Sequence, residues 1–305
     1  MSQLIVLGSV NADHVLQVPS FPRPGETLHG RNYQIIPGGK GANQAVAAAR
    51  LNADIGFIAC VGDDGFGQNI RGVFADDGID ISAVHMIENT PTGIAMIQVS
   101  DCGENSICIA AAANDALTAE VVNQHCAQIA AANYLLMQLE TPLAGIEYAA
   151  SIAKANGTQV ILNPAPARAL PDALLAMVDI ITPNETEAEV LTGVAVTDAD
   201  SAAKAAQALH DKGIAIVMIT LGSKGVYISQ QCTGKIIPGF KVTATDTTAA
   251  GDTFNGAFVT GLLEGKAIED AVVFAHGAAA ISVTRFGAQT SIPSRDEVEQ
   301  FITAQ

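Results

Sequence analysis

Basic residues are scarce in this chain: 15 Lys and Arg stand against 31 Asp and Glu, for a formal net charge of -16. That balance argues against non-specific binding to nucleic acid or to an anionic membrane, because both need a basic face. Long apolar runs are missing as well, and no stretch reaches the ~18 apolar residues that suggest a membrane span. The opening Met1-Ser2-Gln3-Leu4-Ile5-Val6 has no basic segment ahead of an apolar run too short for export, so the chain reads as cytoplasmic. CxxC is absent, and the five cysteines Cys60, Cys102, Cys108, Cys126 and Cys232 are odd in number and scattered. Neither a disulfide framework nor a zinc site is suggested, and the cysteines read as reduced, buried small hydrophobes. Nucleotide fingerprints are also missing: neither GxxxxGK(S/T) nor GxGxxG occurs. A nucleotide, if bound, must be held some other way.

What the chain does have is apolar content, 49% of its 305 residues, enough for one large α/β domain or two smaller ones. Apolar runs of strand length (Leu4 to Gly8, Ile55 to Val61, Tyr134 to Leu139, Val160 to Leu162, Ile180 to Thr182, Ile216 to Leu221) alternate with alanine-rich stretches of helical length. The pattern predicts a mainly parallel sheet covered on both faces by helices, with ligands beyond the carboxyl ends of the strands. Two segments break the alternation. Val15 to Ile36, rich in Pro and Gly, and Thr92 to Ala110, with a turn at Asp101-Cys102-Gly103-Glu104, read as strand and hairpin excursions. In the second, Ile94, Met96 and Gln98 face one side while Ala95, Ile97 and Val99 face the other. Apolar residues on both faces imply two-sided burial, either between substrate and a second subunit or as an edge hairpin folded onto its own domain.

Two glycine clusters carry the chemistry. Asp246-Thr247-Thr248-Ala249-Ala250-Gly251-Asp252 opens an apolar helix with small residues that let backbone amides approach an anion. The helix start adds about half a unit of positive charge, and Asp252 is placed to accept a proton. An N-cap would explain Asp252 equally well. Pro37-Gly38-Gly39-Lys40-Gly41-Ala42-Asn43-Gln44 runs into a second, alanine-rich helix, although a glycine turn before a helix is often plain chain reversal.

The GGKGANQA and DTTAAGDTFNGAF segments, in that order, resemble the two signature regions of the ribokinase-type carbohydrate kinases. Gly8 to Asp13, Met137 to Glu140, Asn163 to Arg168 and Thr182 to Glu187 resemble the same family, and the likeness runs from about Leu4 to the final helix. Ala249 departs from the commoner pattern, where many members have glycine in GAGD. The resemblance implies a single kinase domain over residues 1–305, a three-layer α/β sandwich with a small β lid formed by about 15–36 and 92–110. It also implies a homodimer clasped through that lid.

By the same resemblance, Asn11, Asp13, Gly39, Lys40, Gly41, Ala42, Asn43 and Glu140 bind D-ribose. Carboxylates and amides at strand ends suit neutral hydroxyls, and acidic ligands argue against a phosphorylated sugar. An Asx turn is the alternative for Asn11 and Asp13. Asp252 takes the proton from O5 as it attacks the γ-phosphorus of ATP, with backbone amides of Ala249, Ala250, Gly251 and Asp252 as anion donors and Lys40 assisting. Thr220, Leu221, Gly222, Ser223, Lys224 and Gly225 are implied to carry the nucleotide together with Gly251 and Asp252, with Asn184 nearby and His276 at the base. A tight turn explains those glycines nearly as well, and His276 also reads as a core histidine. Glu187 is implied as a Mg2+ ligand through water, or else as a helix first-turn carboxylate. Asp246, Thr248, Ser282, Arg285, Gly287 and Ser291 match positions that surround a K+ ion, mostly with backbone oxygens. Alternatives remain a kinase of deoxyribose or a nucleoside in the same fold, and a non-catalytic sugar-binding protein.

Overall fold

The computed structural model describes residues 2–102, 104–231 and 233–305. The parts of the sequence reading that fall on Met1, Gly103 and Cys232 lie outside the described residues. Thirteen strands are described: β1 (Leu4–Leu7), β2 (Asn11–Val18), β3 (Arg31–Gly38), β4 (Ile55–Gly62), β5 (Val84–Ile87), β6 (Gly93–Ser100), β7 (Asn105–Ala110), β8 (Tyr134–Met137), β9 (Gln159–Leu162), β10 (Ile180–Ile181), β11 (Ile216–Thr220), β12 (Val226–Gln230) and β13 (Thr233–Ile237). Among the described residues they form a nine-stranded sheet in the order β13-β12-β11-β10-β9-β8-β1-β4-β5 and a four-stranded sheet in the order β3-β2-β6-β7. Within the large sheet only β12 and β13 run antiparallel to their neighbours.

Period-2 alternation explains the three layers. Leu4 and Val6 pack into one apolar cluster, while Ile5 and Leu7 pack into another on the opposite face. Leu136 and Ile161 join the first; Leu135, Met137, Val160 and Leu162 join the second. Strands buried on both faces read as continuous apolar runs, which is how they showed in the sequence.

The segments expected to leave the main sheet hold the strands of the small one, with β2 starting at Asn11 rather than Val15. That sheet is not buried on both sides within the chain. Every residue of β7 is exposed, and Met96 and Ile107 are 51% and 50% exposed. β7 is an edge strand with β6 as its one neighbour, and the exposure of Met96 on β6, which has neighbours on both sides, shows that the sheet face as well as the edge is open. The structure also corrects the reading of the cysteines. Cys60 is buried, but Cys102 in the turn, Cys108 on β7 and Cys126 at a helix start are exposed and free.

Two helices set the site. Lys40–Arg50 begins after Gly39, whose φ of 92° lies in the region that favours glycine. A Cβ there would also come within 2.8 Å of the Asn11 amide nitrogen. Ala250–Leu263 packs against this helix at Gly256, where a Cβ would lie 2.6 Å from both the Gln44 carbonyl oxygen and the Ala47 Cβ. Glycine therefore lets the two backbones close up, which brings the helix starts together.

Candidate active site

The predicted polar residues collect where parallel strands end. Asn11 follows β1, Glu140 follows β8, Asn184 follows β10 and Gly222 follows β11. Asp252 is 6% exposed, and its two oxygens accept from consecutive residues of the other helix: Asn43 Nδ2 to Oδ2 at 3.0 Å and Gln44 Nε2 to Oδ1 at 3.0 Å. The two glycine clusters thus meet at one carboxylate. Its backbone supports a helix start rather than an N-cap, since Ala249 occupies that position with φ 58°.

Gln44 is a residue that the sequence reading left unassigned. Its Nε2 also donates to Asn163 Oδ1 at 3.0 Å, and its Oε1 accepts from Gln138 Nε2 at 2.6 Å. Asn163 Nδ2 continues to the Thr182 carbonyl, the Thr182 hydroxyl donates to Asn255 Oδ1, and Asn255 Nδ2 returns to the Gly251 carbonyl at 2.8 Å. This buried amide chain ties the ends of β8, β9 and β10 to the first turn of the helix that carries Asp252. Buried polar groups are costly unless paired, so the chain is a set of mutually dependent contacts.

On the sugar side, Glu140 Oε2 accepts from the Ser9 hydroxyl at 2.6 Å and from the Lys40 amide at 3.0 Å. Asp13 Oδ1 and Asn43 Oδ1 are buried with no hydrogen-bond partner, so acceptors remain for a bound hydroxyl compound. Gly41 and Ala42 are buried at the first turn of the helix, and Ala42 donates its amide to the Ser9 carbonyl at 2.9 Å. Burial, then the charges of Glu140 and Asp252, push the Asp13 carboxyl up to about 7, against the pull of Lys40. Burial works against the Lys40 ammonium, but Asp252, Glu140, Glu187 and Asp13 outweigh it and hold its pKa above the ordinary value. The site therefore gathers acceptors around one cation.

The neighbouring cavity, about 400 Å³, is mostly apolar. Of the predicted nucleotide residues, Thr220, Gly222, Ser223, Gly225, Gly251 and His276 line it. Leu221 instead packs into the core, and Lys224 is exposed. Asn184 bridges to Thr220 through the backbone, but its side chain caps the helix Glu185–Thr192 by accepting from the Glu187 amide at 2.8 Å. Glycine is needed at Gly225, where φ is 105° and a Cβ would lie 2.1 Å from the Ile237 carbonyl oxygen. Burial pulls the His276 imidazole down to about 4, and the Pro238 backbone only partly offsets this. The reading also missed Phe240, Lys241 and Val242, which line the cavity from a stretch with no helix or strand periodicity. At the anion loop, Ala250 donates to the Thr247 carbonyl at 3.3 Å, while the Gly251 and Asp252 amides have no backbone partner among the described residues. A Cβ on Gly251 would meet nothing within 4 Å.

Among the described residues no group of three or more His, Cys, Asp or Glu could hold a metal ion. Glu187 is buried, and one of its oxygens accepts from the Asn184 amide in a capping box, so the helix alternative accounts for half of its carboxylate. Burial pushes its carboxyl up, and the Asn184 bond and Lys40 only partly offset this. Asp246 accepts from the Thr248 amide and hydroxyl and from the Gly287 amide, which joins two loops. Burial raises its carboxyl, but those three bonds together hold it below the ordinary value. Ser282 and Arg285 flank Val283, whose carbonyl accepts from the Thr245 and Asp246 amides. The Arg285 guanidinium points away to Glu297 at 2.6 Å, and the Ser291 hydroxyl bonds the Ala288 carbonyl.

The chain resembles known proteins over its whole length. The profile of the pfkB family carbohydrate kinases matches residues 1–295. The ribokinase of Haemophilus influenzae is 60% identical over 98% of each chain. The structure of Arabidopsis thaliana ribokinase complexed with ribose and ATP superposes with a TM-score of 0.90 at 33% identity, covering 99% of this chain and 98% of that one. A deoxyribokinase of Salmonella typhimurium is 36% identical over 98% of each chain.

Proposed function

The chain belongs to the pfkB family of carbohydrate kinases, and from that premise we propose that it phosphorylates D-ribose at O5, using ATP and giving ribose 5-phosphate and ADP. One observation carries the reading: Asp252 is gripped by Asn43 and Gln44, so the two glycine-bearing helix starts share one buried carboxylate. In the step we propose, the O5 hydroxyl gives its proton to Asp252 while the O5–P bond forms and the bond from phosphorus to the β–γ bridging oxygen breaks, leaving ADP. The free amides of Gly251 and Asp252, at a helix start, face the charge that develops on the phosphoryl group. Asn11, Asp13, Asn43 and Glu140 hold the sugar hydroxyls, and Lys40 balances their charge. The base and ribose of ATP would fill the apolar cavity beside His276. Mg2+, held through Glu187 and water, would neutralise phosphate charge when bound. K+, among the oxygens around Asp246, would order the anion loop. We read the protein as a cytoplasmic single-domain enzyme. In this reading the small sheet is a lid, and its exposed Ile35, Met96, Ile107 and Ile109 are covered by sugar on one face and a second subunit on the other.

The 36% identity to a deoxyribokinase favours one alternative substrate. A coupled ADP-release assay across ribose, 2-deoxyribose, other neutral sugars and nucleosides tests both. Ribose is expected to give the highest kcat/KM, and potassium to support faster turnover than sodium. Failure of every sugar to release ADP ends the kinase reading, and equal rates in the two salts remove the cation.

A further inference from the structure

Asn114 is not among the expected sugar-binding residues, yet it bonds the side chain of one of them, Asn11. It is 1% exposed and lies in the short 3-10 turn Ala112–Ala116 that follows β7. Its Oδ1 accepts from the Val10 amide at 2.9 Å, and its Nδ2 donates to the Val10 carbonyl at 3.2 Å and to Asn11 Oδ1 at 2.9 Å. A backbone amide only donates and a backbone carbonyl only accepts, so Val10 fixes the orientation of the Asn114 amide twice over. That orientation in turn fixes Asn11: its Oδ1 is occupied, and no protein group among the described residues accepts from its Nδ2. Two residues on, along the same face of β2, Asp13 offers an unpaired buried acceptor.

We propose that Asn114 is a positioning residue that turns the Asn11 amide donor toward the sugar, and so sets a preference for a pentose with a 2-hydroxyl over its 2-deoxy counterpart. This rests on the kinase reading above and deepens it. Face by face, β2 presents a donor and then an acceptor, which two neighbouring hydroxyls satisfy together. A 2-deoxy sugar leaves the Asn11 donor facing nothing, and a site built to bond a hydroxyl discriminates strongly against an analogue that lacks it. With the Asn11 amide reversed, two acceptors would stand side by side and the preference would fade. Gly93 makes room for the arrangement. It is the register partner of Asn11, and a Cβ there would lie 2.2 Å from Asn114 Nδ2 and 2.5 Å from Asn11 Oδ1.

The test is the ratio of kcat/KM for ribose to that for 2-deoxyribose, measured on the full chain. Asn114→Ala should lower that ratio about tenfold, chiefly through KM for ribose, and leave 2-deoxyribose within about threefold. In an Asn11→Ala background the same change should leave the ratio where Asn11→Ala alone puts it. Asn114→Ser, which keeps a polar group in the buried site, should shift the ratio the same way and serves where the alanine variant does not fold. An equal loss for both sugars, or a full shift in the Asn11→Ala background, overturns the proposal. Wild-type protein that uses both sugars equally overturns it too while leaving the kinase reading intact. Phosphoryl transfer to neither sugar fells the kinase reading itself, and this one with it.

Discussion

In the proposed reading the two halves of the cleft recognise by different means. On the sugar side, buried side chains of fixed polarity do the work: Asp252 held by two amides, Glu140 held by Ser9 and Lys40, and Asn11 held by Asn114. On the nucleotide side, an apolar cavity is framed by glycine turns and a buried histidine. A small polyol offers only hydroxyls, so donors and acceptors must be placed individually. A base and a phosphate chain offer a flat face and diffuse charge, for which shape and backbone amides suffice. Substitutions on the first side should therefore alter turnover and selectivity by orders of magnitude, and those on the second by small factors.

The sharpest test of that contrast is Asp252→Asn. Loss of the proton acceptor should lower kcat by ~10²–10⁴-fold while ribose still binds. The fold should tolerate it, because Asn43 has a free Oδ1 and can turn to meet the new amide. Gln44 cannot turn, since Gln138 and Asn163 fix both ends of its amide. Gln44→Met should thus cost about tenfold in kcat in the wild type and little in the Asp252→Asn background, as expected for groups acting as one unit. Rapid kinetics with ribose-binding calorimetry checks both. Near-normal turnover by Asp252→Asn would erase the distinction between the two sides.

A middle-sized effect comes from Asp13. Its carboxyl, pushed up to about 7 by burial and then by Glu140 and Asp252, binds more protons folded than unfolded from its ordinary 3.8 up to that value. It contributes stability that is present in full below 3.8 and is lost as pH rises through about 7. Sugar binding runs the other way, because the carboxylate is the better acceptor. KM for ribose should climb as pH falls below about 7, by at most about tenfold per unit, while KM for ATP stays nearly flat. Asp13→Asn should flatten the ribose profile at a high KM. A ribose KM independent of pH between about 5.5 and 8.5 would detach Asp13 from the sugar.

That asymmetry also governs what could be read from the sequence. Glu140 stood out because a carboxylate at the end of a buried apolar run demands a partner, whereas Asp13 read equally as an Asx turn and entered only through the family resemblance. The parallel sheet was legible for the same reason, as apolar runs of strand length. Asn114, Gln44 and Asn163 were not, because their partners lie 104 to 208 residues away and only the closed fold brings them together. Phe240 to Val242 line the cavity from an irregular stretch whose sequence carries no period to detect. Cys108 was misread because an edge strand and an interior strand have the same local composition, while Cys102 in a turn and Cys126 at a helix start gave no local sign of their exposure.

The smallest expected effect belongs to Ala249, and it probes the backbone side directly. Its φ of 58° and ψ of 14° place an alanine in the left-handed region, which costs an L-residue about 1–2 kcal/mol. Glycine removes that strain but enlarges the unfolded ensemble, a loss of roughly 0.5–1 kcal/mol. Ala249→Gly should therefore shift stability by no more than about 1 kcal/mol, most plainly upward, as thermal or denaturant unfolding would read. Turnover should change by less than about threefold, because the free amides of Gly251 and Asp252 are aimed by the helix they begin and not by the side chain before it. A loss of more than about tenfold in kcat would mean that the alanine's strain is part of how the anion loop is set, and that the backbone side is as exacting as the sugar side.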